Sequence, residues 1–528
     1  MRQSALMRGS TLSDRQAVWA FVLGCVAVTG GVLFHLPMFV MARSMGYRLA
    51  GMPMGGAMTF GMVLIVAGVA VAAYGLLPRN LAAQRLAAQS IIVSAPEDAP
   101  IGRAHWMLMV VLVIALTIDV MKPASLGFTV PGMISEYGVP KATVSLVPFF
   151  ALMGTVVGSV LWGMIADIYG RKASILLSAV MFVGTSICGA MPSLAWNIGM
   201  CFMMGAAAGG MLPVTYALLA EMMPSRHRGW SLVLVGGLGA AGGYLAASGL
   251  SALLQPVFGW RILWLANLPT GLALIALGAF IPESARFLIA RDRVEEAERI
   301  MRRFGAAARV APAAPPPGPL VEAAGGDRKV VIGLVGLSIA ALTWGLVNFG
   351  LLLWLPADLA AKGYSIGLAS ELLAKSSLIA FPAVFIAAFL YSRWSTKGAL
   401  ILMILVLIIG LAGVFRLEVM GSGSIVLPFA LLIVGSNGLL AVLLPYTTES
   451  VPLRIRGRTT GWVAACTKGG GLLAQTLSIL ALVPTMGVVT AIIIVPAGIA
   501  LAMIAFFGRE TRNIDLRFLD TPAAAPAE

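Results

Sequence analysis

The sequence predicts an all-α polytopic membrane protein: two six-helix halves preceded by two extra N-terminal transmembrane helices, fourteen spans in all. Three observations predict it. Of the 528 residues, 59% are hydrophobic and 11% charged, against about 25% charged in soluble domains. Apolar windows of about twenty residues recur along the whole chain, the length at which a helix rising ~1.5 Å per residue crosses a hydrocarbon core. Barrel strands would instead be about ten residues long with alternating polarity. Third, the basic residues behind the net charge of +14 gather on alternate connections.

Two leading spans are expected near residues 17–41 and 52–76, completing a segment 1–76. The first apolar stretch is too long for a cleavable signal peptide, and a second span follows it directly. A polar linker, 77–104, separates this pair from the rest. Core helices 1 to 6 then start near 106, 144, 173, 196, 230 and 261, within a half bounded by 105–281. The connection 282–329 holds RDRVEEAERIMRRF and then APAAPPPGP. Glu295 before Arg299 and Glu298 before Arg302 stand at helical spacing, which predicts a solvated surface helix, and the proline run predicts a semi-rigid spacer. Core helices 7 to 12 start near 330, 370, 399, 425, 459 and 488, within a half bounded by 330–507, and 508–528 is a tail.

With the N-terminus inside, 27 Lys or Arg fall in cytoplasmic segments, 6 in external loops and 3 (Lys122, Lys375, Lys468) within spans. This is the positive-inside signature, so the basic balance reports orientation in a bilayer and not a nucleic-acid partner. It places both termini and the 282–329 loop in the cytoplasm of a bacterial inner-membrane protein. The four cysteines all lie in apolar stretches without metal-ligand spacing and are expected as small core residues, with no metal site.

An internal repeat joins the two halves. EMMPSRHRG at 221–229 and ESVPLRIRG at 449–457 share ExxPxRxRG, and each follows a Tyr-bearing span, with Tyr216 in one and Tyr446 in the other. Two parallel six-helix repeats related by an axis along the membrane normal hold substrate between them. Pairing of Glu221 with Arg228, and of Glu449 with Arg456, as an inner gate is expected.

The loop after core helix 2 reads GMIADIYGRK, GxxxDxxGRK from Gly163 to Lys172. Gly163 would allow close helix approach, Asp167 could cap a helix or pair with Arg171, and Gly170 permits a tight turn. The segment resembles the signature of major facilitator transporters, departing from it at Ile168. In that family the cluster latches the cytoplasmic side, which implies gating roles for Gly163, Asp167, Gly170, Arg171 and Lys172. The second-half counterpart, SRWSTKG at 392–398, is degenerate and lacks the acid. PESARFL at 282–288 and GGMLPVTYALLAEMMP resemble elements of the sugar-porter and synaptic-vesicle-type branch. With DVMKPASLGFTVPGM and NFGLLLWLP, the chain is similar to that branch's bacterial metabolite:proton symporters over roughly residues 105–510.

The resemblance implies a secondary active transporter working by alternating access, with proton-coupled uptake of a small organic solute. Core helix 7 has TWGLVNFG where sugar porters carry glutamines, so an organic or aromatic acid is favoured over a sugar or polyol. Core helix 5 lacks the proline of the antiporter signature, which favours uptake over export of amphiphiles. A non-transporting membrane sensor is the reading from another class. No cofactor is implied beyond a proton gradient, and the partners are lipid, a small-molecule substrate and protons. A monomer is expected, with the leading helix pair as a packing or assembly surface.

Soluble-enzyme patterns fail on context. Gly237, Gly239 and Gly242 satisfy GxGxxG inside a membrane helix without a preceding strand, and Gly363, Ser365 and Gly367 satisfy GxSxG in a loop without a strand-to-helix elbow. The ionisable residues inside spans carry more, since each costs about 2.5–3.5 kcal/mol at a helix centre. Asp119 and Lys122, three apart on core helix 1, are candidates for proton coupling. Lys122, together with Lys468 beside Gly469, Gly470 and Gly471, would attract a carboxylate-bearing substrate, with Trp344, Asn348, Asn437, Gln475 and Tyr216 lining the substrate site. A structural ion pair between Asp119 and Lys122 is the alternative. Lys375, one turn after Glu371, is expected to be a surface pair.

Overall fold

The computed structural model describes residues 15–77, 91–94, 100–289, 293–305, 307–310, 328–421, 424–451 and 456–512; among these, the side chains of Asp167, Ser225, Arg286 and Arg456 and of both strands lie outside the description. The proline run and most of the 77–104 linker fall outside the described residues.

The leading helices are α1 (Arg15–Leu33) and α2 (Gly56–Leu76). Core helices 1 to 6 are α3 (Arg103–Tyr137), α4 (Leu146–Tyr169), α5 (Arg171–Ala190), α6 (Leu194–Met222), α7 (Ser225–Phe258) and α8 (Ile262–Leu277). The surface helix is α9 (Val294–Phe304). Core helices 7 to 12 are α10 (Arg328–Ala361), α11 (Ile366–Arg393), α12 (Thr396–Met420), α13 (Val426–Ser450), α14 (Arg456–Ile479) and α15 (Met486–Phe507). Twelve of these helices are long and apolar enough to span a membrane. Of the other three, α9 is the surface helix, and α8 and α14 stand where core helices 6 and 11 are expected; α8 is shorter and α14 is interrupted by polar residues.

The chain divides into two compact units: residues 1–226 with 249–312, and residues 227–248 with 313–528. The middle of α7 thus groups with the second unit.

Within the first unit, α1 and α2 form a hairpin whose contact is written in glycine. Gly24 and Gly31 on α1, and Gly61, Gly68 and Gly75 on α2, recur every seven residues. A Cβ at Gly24 would lie 2.5 Å from the Ala72 nitrogen, and one at Gly31 would lie 2.6 Å from the Gly61 carbonyl oxygen. Small residues let two backbones close up where lipid supplies no hydrophobic drive for helices to associate. Hairpin and core pack together in one cluster that includes Val28, Ile65, Leu177, Val180 and Val183.

Two features on the polar side depart from expectation. Ile91–Ser94 of the linker (β1) pairs antiparallel with Ala307–Val310 of the long connection (β2), Ile92 opposite Arg309. Each segment is too short to stand out as a strand in a chain dominated by helical apolar runs. The surface helix α9 begins later than expected and is not solvated all round: Ala297 and Phe304 are buried with Ala285, Phe287 and Leu288. Its exposed Glu298–Arg302 pair, at 3.4 Å, is of a kind that contributes little.

Candidate functional site

In the first unit, Asp119 and Lys122 lie on α3 and both are buried, Lys122 completely. Lys122 donates to the Phe182 carbonyl and to Thr185 Oγ1, each at 2.6 Å, and its Nζ lies 4.2 Å from the Phe182 ring centroid. Phe182 and Thr185 stand where α5 tightens from α-helix into a 3₁₀ turn. The Phe182 carbonyl also accepts from Thr185 Oγ1 at 3.1 Å, so the ammonium joins a small network of oxygens that stabilises its charge. The Asp119 carboxylate adds its negative charge near Lys122. Lys122 therefore does more than face Asp119: it also ties α3 to α5. Tyr216 lies half-buried on α6, beside Thr215, whose hydroxyl oxygen is buried with no hydrogen-bond partner among the described residues.

At the end of this unit where α4 meets α5, Gly170 has φ 98°, and a Cβ there would sit 2.7 Å from a Glu283 carboxylate oxygen. Both conditions call for glycine. Glu283 accepts from the Arg171 and Lys172 backbone N–H groups at 3.0 and 3.3 Å, capping the N-terminus of α5 with a negative charge. Burial pushes the Glu283 carboxyl up against the lowering effect of the Ser284 and Lys172 N–H groups and of Arg171. Glu221, at the end of α6, pairs with Arg171 at 2.8 Å and accepts from Ser284 Oγ at 2.5 Å. The gate residues Gly170, Arg171, Lys172 and Glu221 are thus gathered, with Arg171 as the ion-pair partner of Glu221 that the geometry displays. The backbone of Asp167 closes α4; its side chain lies outside the described residues. The reason expected for Gly163 does not operate: no described atom would come within 4 Å of a Cβ there.

The second unit repeats the device with other letters. Glu449, at the end of α13, accepts from Tyr391 Oη at 2.6 Å and from Thr511 Oγ1 at 3.1 Å. Glu510, just past α15, accepts from the Thr396 N–H at 3.0 Å and from the Ser395 hydroxyl at the start of α12. The acid missing from SRWSTKG is therefore supplied by the segment after the last helix, as Glu283 is supplied by the segment after α8. Burial works against the Glu510 carboxylate, but the Ser395 and Thr396 donors and the Arg512 N–H outweigh it and hold its pKa down at about 2. Arg228 opens the stretch of α7 that belongs to this unit, and Arg456 opens α14 with its side chain outside the described residues.

Deeper in the second unit, α10 widens into a π-helical turn at Val347–Leu351, which holds Asn348 and Phe349. Such turns occur frequently at functional sites. Gln475 on α14 donates its amide to the Phe349 carbonyl. The Phe349 ring meets Trp344 edge-on at 5.5 Å, and Lys468 Nζ lies 5.0 Å from its centroid. α10 and α14 close up where a Cβ at Gly345 would strike the Thr467 carbonyl and one at Gly470 the Leu342 carbonyl. Trp344, Lys468 and Gln475 therefore meet around Phe349, and Asn348 precedes it in the same turn. Phe349 was not among the sequence candidates; its position inside NFG, one turn after Trp344, was the available signal. Asn437 lies on α13, which packs against both α10 and α14. Trp344 Nε1, Gln475 Oε1, Asn437 Nδ2 and Ser436 Oγ are buried without a hydrogen-bond partner among the described residues. Buried polar atoms left unpaired cost free energy, so these are places where a ligand or water completes the bonding.

Elsewhere, Lys375 pairs with Glu371 at 2.7 Å and both are exposed, the surface pair expected of them.

Comparison with known proteins agrees with this architecture. The niacin transporter of Acinetobacter baylyi is 26% identical over 401 residues, covering 72% of this chain and 88% of that one. The 4-hydroxybenzoate transporter of Pseudomonas putida is 31% identical over 226 residues, 41% of this chain and 47% of that one. Among solved structures, the proton:xylose symporter XylE bound to a bromodeoxyglucose superposes with a TM-score of 0.63 at 18% identity, covering 79% of this chain and 98% of that one, a likeness of fold. The leading hairpin lies outside the residues that carry the family's own match, 107–475. With six core helices in each half, the gate acids repeated at their ends, and that match to the model of the Major Facilitator Superfamily, the chain belongs to this family of membrane transporters.

Proposed function

We propose that this transporter takes up a small organic acid, an aromatic carboxylate first among them, by alternating access coupled to the proton gradient across a bacterial inner membrane. The observation that carries the reading is the cluster around Phe349: a lysine ammonium on an aromatic face, with the indole Nε1–H of Trp344 and Gln475 Oε1 buried unpaired beside it, and Asn437 Nδ2 likewise unpaired on the adjoining α13. A carboxylate suits the ammonium, an aromatic ring stacks edge-on or offset against Phe349 and Trp344, and ring substituents meet the amides. Relatives named for niacin, 4-hydroxybenzoate and gallate transport support the same substrate class.

In this reading Lys468, Trp344, Asn348, Asn437 and Gln475 contact substrate, and Asp119 accepts the proton. Lys122, held against α5, sets the field at Asp119. The clusters of Arg171, Lys172, Glu221, Glu449 and their neighbours gate the cytoplasmic side. The excess of Lys and Arg in alternate connections supports cytoplasmic termini. An impermeant thiol reagent reacting from outside intact cells with a cysteine placed at Pro317 would contradict that orientation.

The test is uptake by the purified full chain in proteoliposomes under an imposed pH gradient, alkaline inside. Nicotinate, 4-hydroxybenzoate and benzoate are compared with xylose. Accumulation of an aromatic carboxylate that collapses with the gradient is expected. Accumulation of xylose alone, or of none of the four, overturns the proposal.

A further inference from the structure

We infer that the leading hairpin is a built-in brace of the first six-helix half: it covers the outer face of α5 in place of lipid and is fastened by Glu136. All of the contacts lie within one compact unit.

Cover comes first. Of the twelve long apolar helices, α5 is the most enclosed: 94% of its most apolar window is buried, against 28% for each leading helix. α1 and α2 both pack on it. At Gly184 an added Cβ would lie 2.9 Å from Ile65 and 3.5 Å from Val28, so this glycine admits both leading helices at once. α5 also carries Ser174, Ser178, Thr185 and Ser186, all buried.

Fastening comes second. The loop between α1 and α2 folds back through a left-handed Gly46–Tyr47 pair and presents two backbone N–H groups, from Leu49 and Ala50, to Glu136 Oε1 at 2.7 and 2.9 Å. Glu136, in the last turn of α3, also pairs with Arg261 at 2.8 Å and accepts from Trp260 Nε1 at 2.8 Å. Arg261 donates onward to the Gly189 and Met191 carbonyls at the end of α5. Tyr47 packs edge-on against Phe258, 5.6 Å between centroids, and Gly51 N–H reaches the Pro192 carbonyl at 3.3 Å. One buried carboxylate thus joins the loop of the hairpin to the ends of α3, α5 and α8. Leu49, beside the clasp, is fully buried. A carboxylate that accepts two backbone N–H groups and a guanidinium makes strong charge-assisted bonds, and its removal leaves the Leu49 and Ala50 N–H groups without that acceptor and takes the counter-charge from Arg261.

Two measurements on the full-length protein test this. With Leu49→Cys as the reporter, an aqueous maleimide should react slowly, and adding Glu136→Ala should speed the reaction about tenfold or more, the equivalent of losing about 1.4 kcal/mol of loop docking. An unchanged rate overturns the fastening. The second measurement does not depend on how well Glu136→Ala folds. Ile65→Cys with Gly184→Cys places two thiols within disulfide reach, and mild oxidation should cross-link them in most molecules, as identified by peptide mapping. A pair that stays reduced while the protein elutes as a folded species means that the hairpin does not sit on α5, and the inference fails.

Discussion

Lys122 gives its ammonium to the main-chain carbonyl of Phe182 at 2.6 Å, joining the middle of α3 to the end of α5 in a fully buried position. A charged donor in such a place contributes about 1.5–3 kcal/mol. Lys122→Met should therefore destabilise the purified protein by about 2 kcal/mol in thermal or denaturant unfolding. Lys122→Arg should not restore it, because a planar guanidinium needs more room than the enclosed ammonium occupies. A methionine variant as stable as wild type would leave Lys122 with a coupling role alone.

Asp119 separates coupling from structure. Asn keeps the size of the side chain and removes the proton site. Asp119→Asn should abolish uptake driven by a pH gradient while substrate exchange across proteoliposomes continues. A variant that still concentrates substrate with wild-type pH dependence places the proton elsewhere.

At the gate, Arg171 bonds Glu221 through its side chain and Glu283 through its backbone. Arg171→Ala removes only the first of these. Exchange between inward and outward states should change by about tenfold, the size of one charge-assisted bond at about 1.4 kcal/mol, with insertion and folding intact. Asp167→Asn should slow transport in the same assay. Wild-type rates in both variants would remove the gate assignment.

How far these features were readable varies with their physical origin. The all-helical membrane fold follows from solvent: twelve apolar runs of bilayer length declare themselves residue by residue. Glu221 and Glu449 were visible because ExxPxRxRG recurs. Glu510 was not, because its partners Ser395 and Thr396 lie more than a hundred positions away and the local SRWSTKG looks merely degenerate. Glu136 and Arg261 were missed for the same reason, each looking like an ordinary polar end of an apolar run. The hairpin's glycines at 24, 31, 61, 68 and 75 carried a legible seven-residue period, but composition in a glycine-rich chain masks it. Trp344 and Lys468 were identified from chemistry, whereas Phe349, which joins them, lacked any polar atom to draw notice.

Glu510 offers a pH test away from the membrane core. Its carboxyl is depressed to about 2 in the folded protein, against about 4.3 for an unperturbed glutamate. A depressed acid contributes stability that is present above the unfolded pKa and is lost as pH falls through the folded one. Glu510→Gln should be less stable than wild type at neutral pH, and the gap should begin to narrow below about pH 4.5 and close towards pH 2. A gap that does not depend on pH would mean that shape, not charge, holds Ser395 and Thr396.

Trp344 tests the substrate site most cleanly, because the protein itself makes no use of its one polar atom among the described residues. The indole Nε1–H is buried without an acceptor, while the ring packs edge-on against Phe349. A buried unpaired donor is a cost to the empty protein. Trp344→Phe keeps an aromatic ring at the position and removes that donor, so stability should hold or rise slightly, apart from a packing loss of about 1 kcal/mol from the smaller ring. If the N–H completes its bond on a bound carboxylate or ring substituent, affinity should fall by the worth of a hydrogen bond to a charged group, about 1.5–3 kcal/mol, or roughly 10- to 150-fold. A rise in KM of that size with no more than about 1 kcal/mol lost in unfolding is therefore the expected signature. A variant that loses stability and affinity together would make Trp344 a packing residue, and one that loses neither would move the binding site away from Phe349.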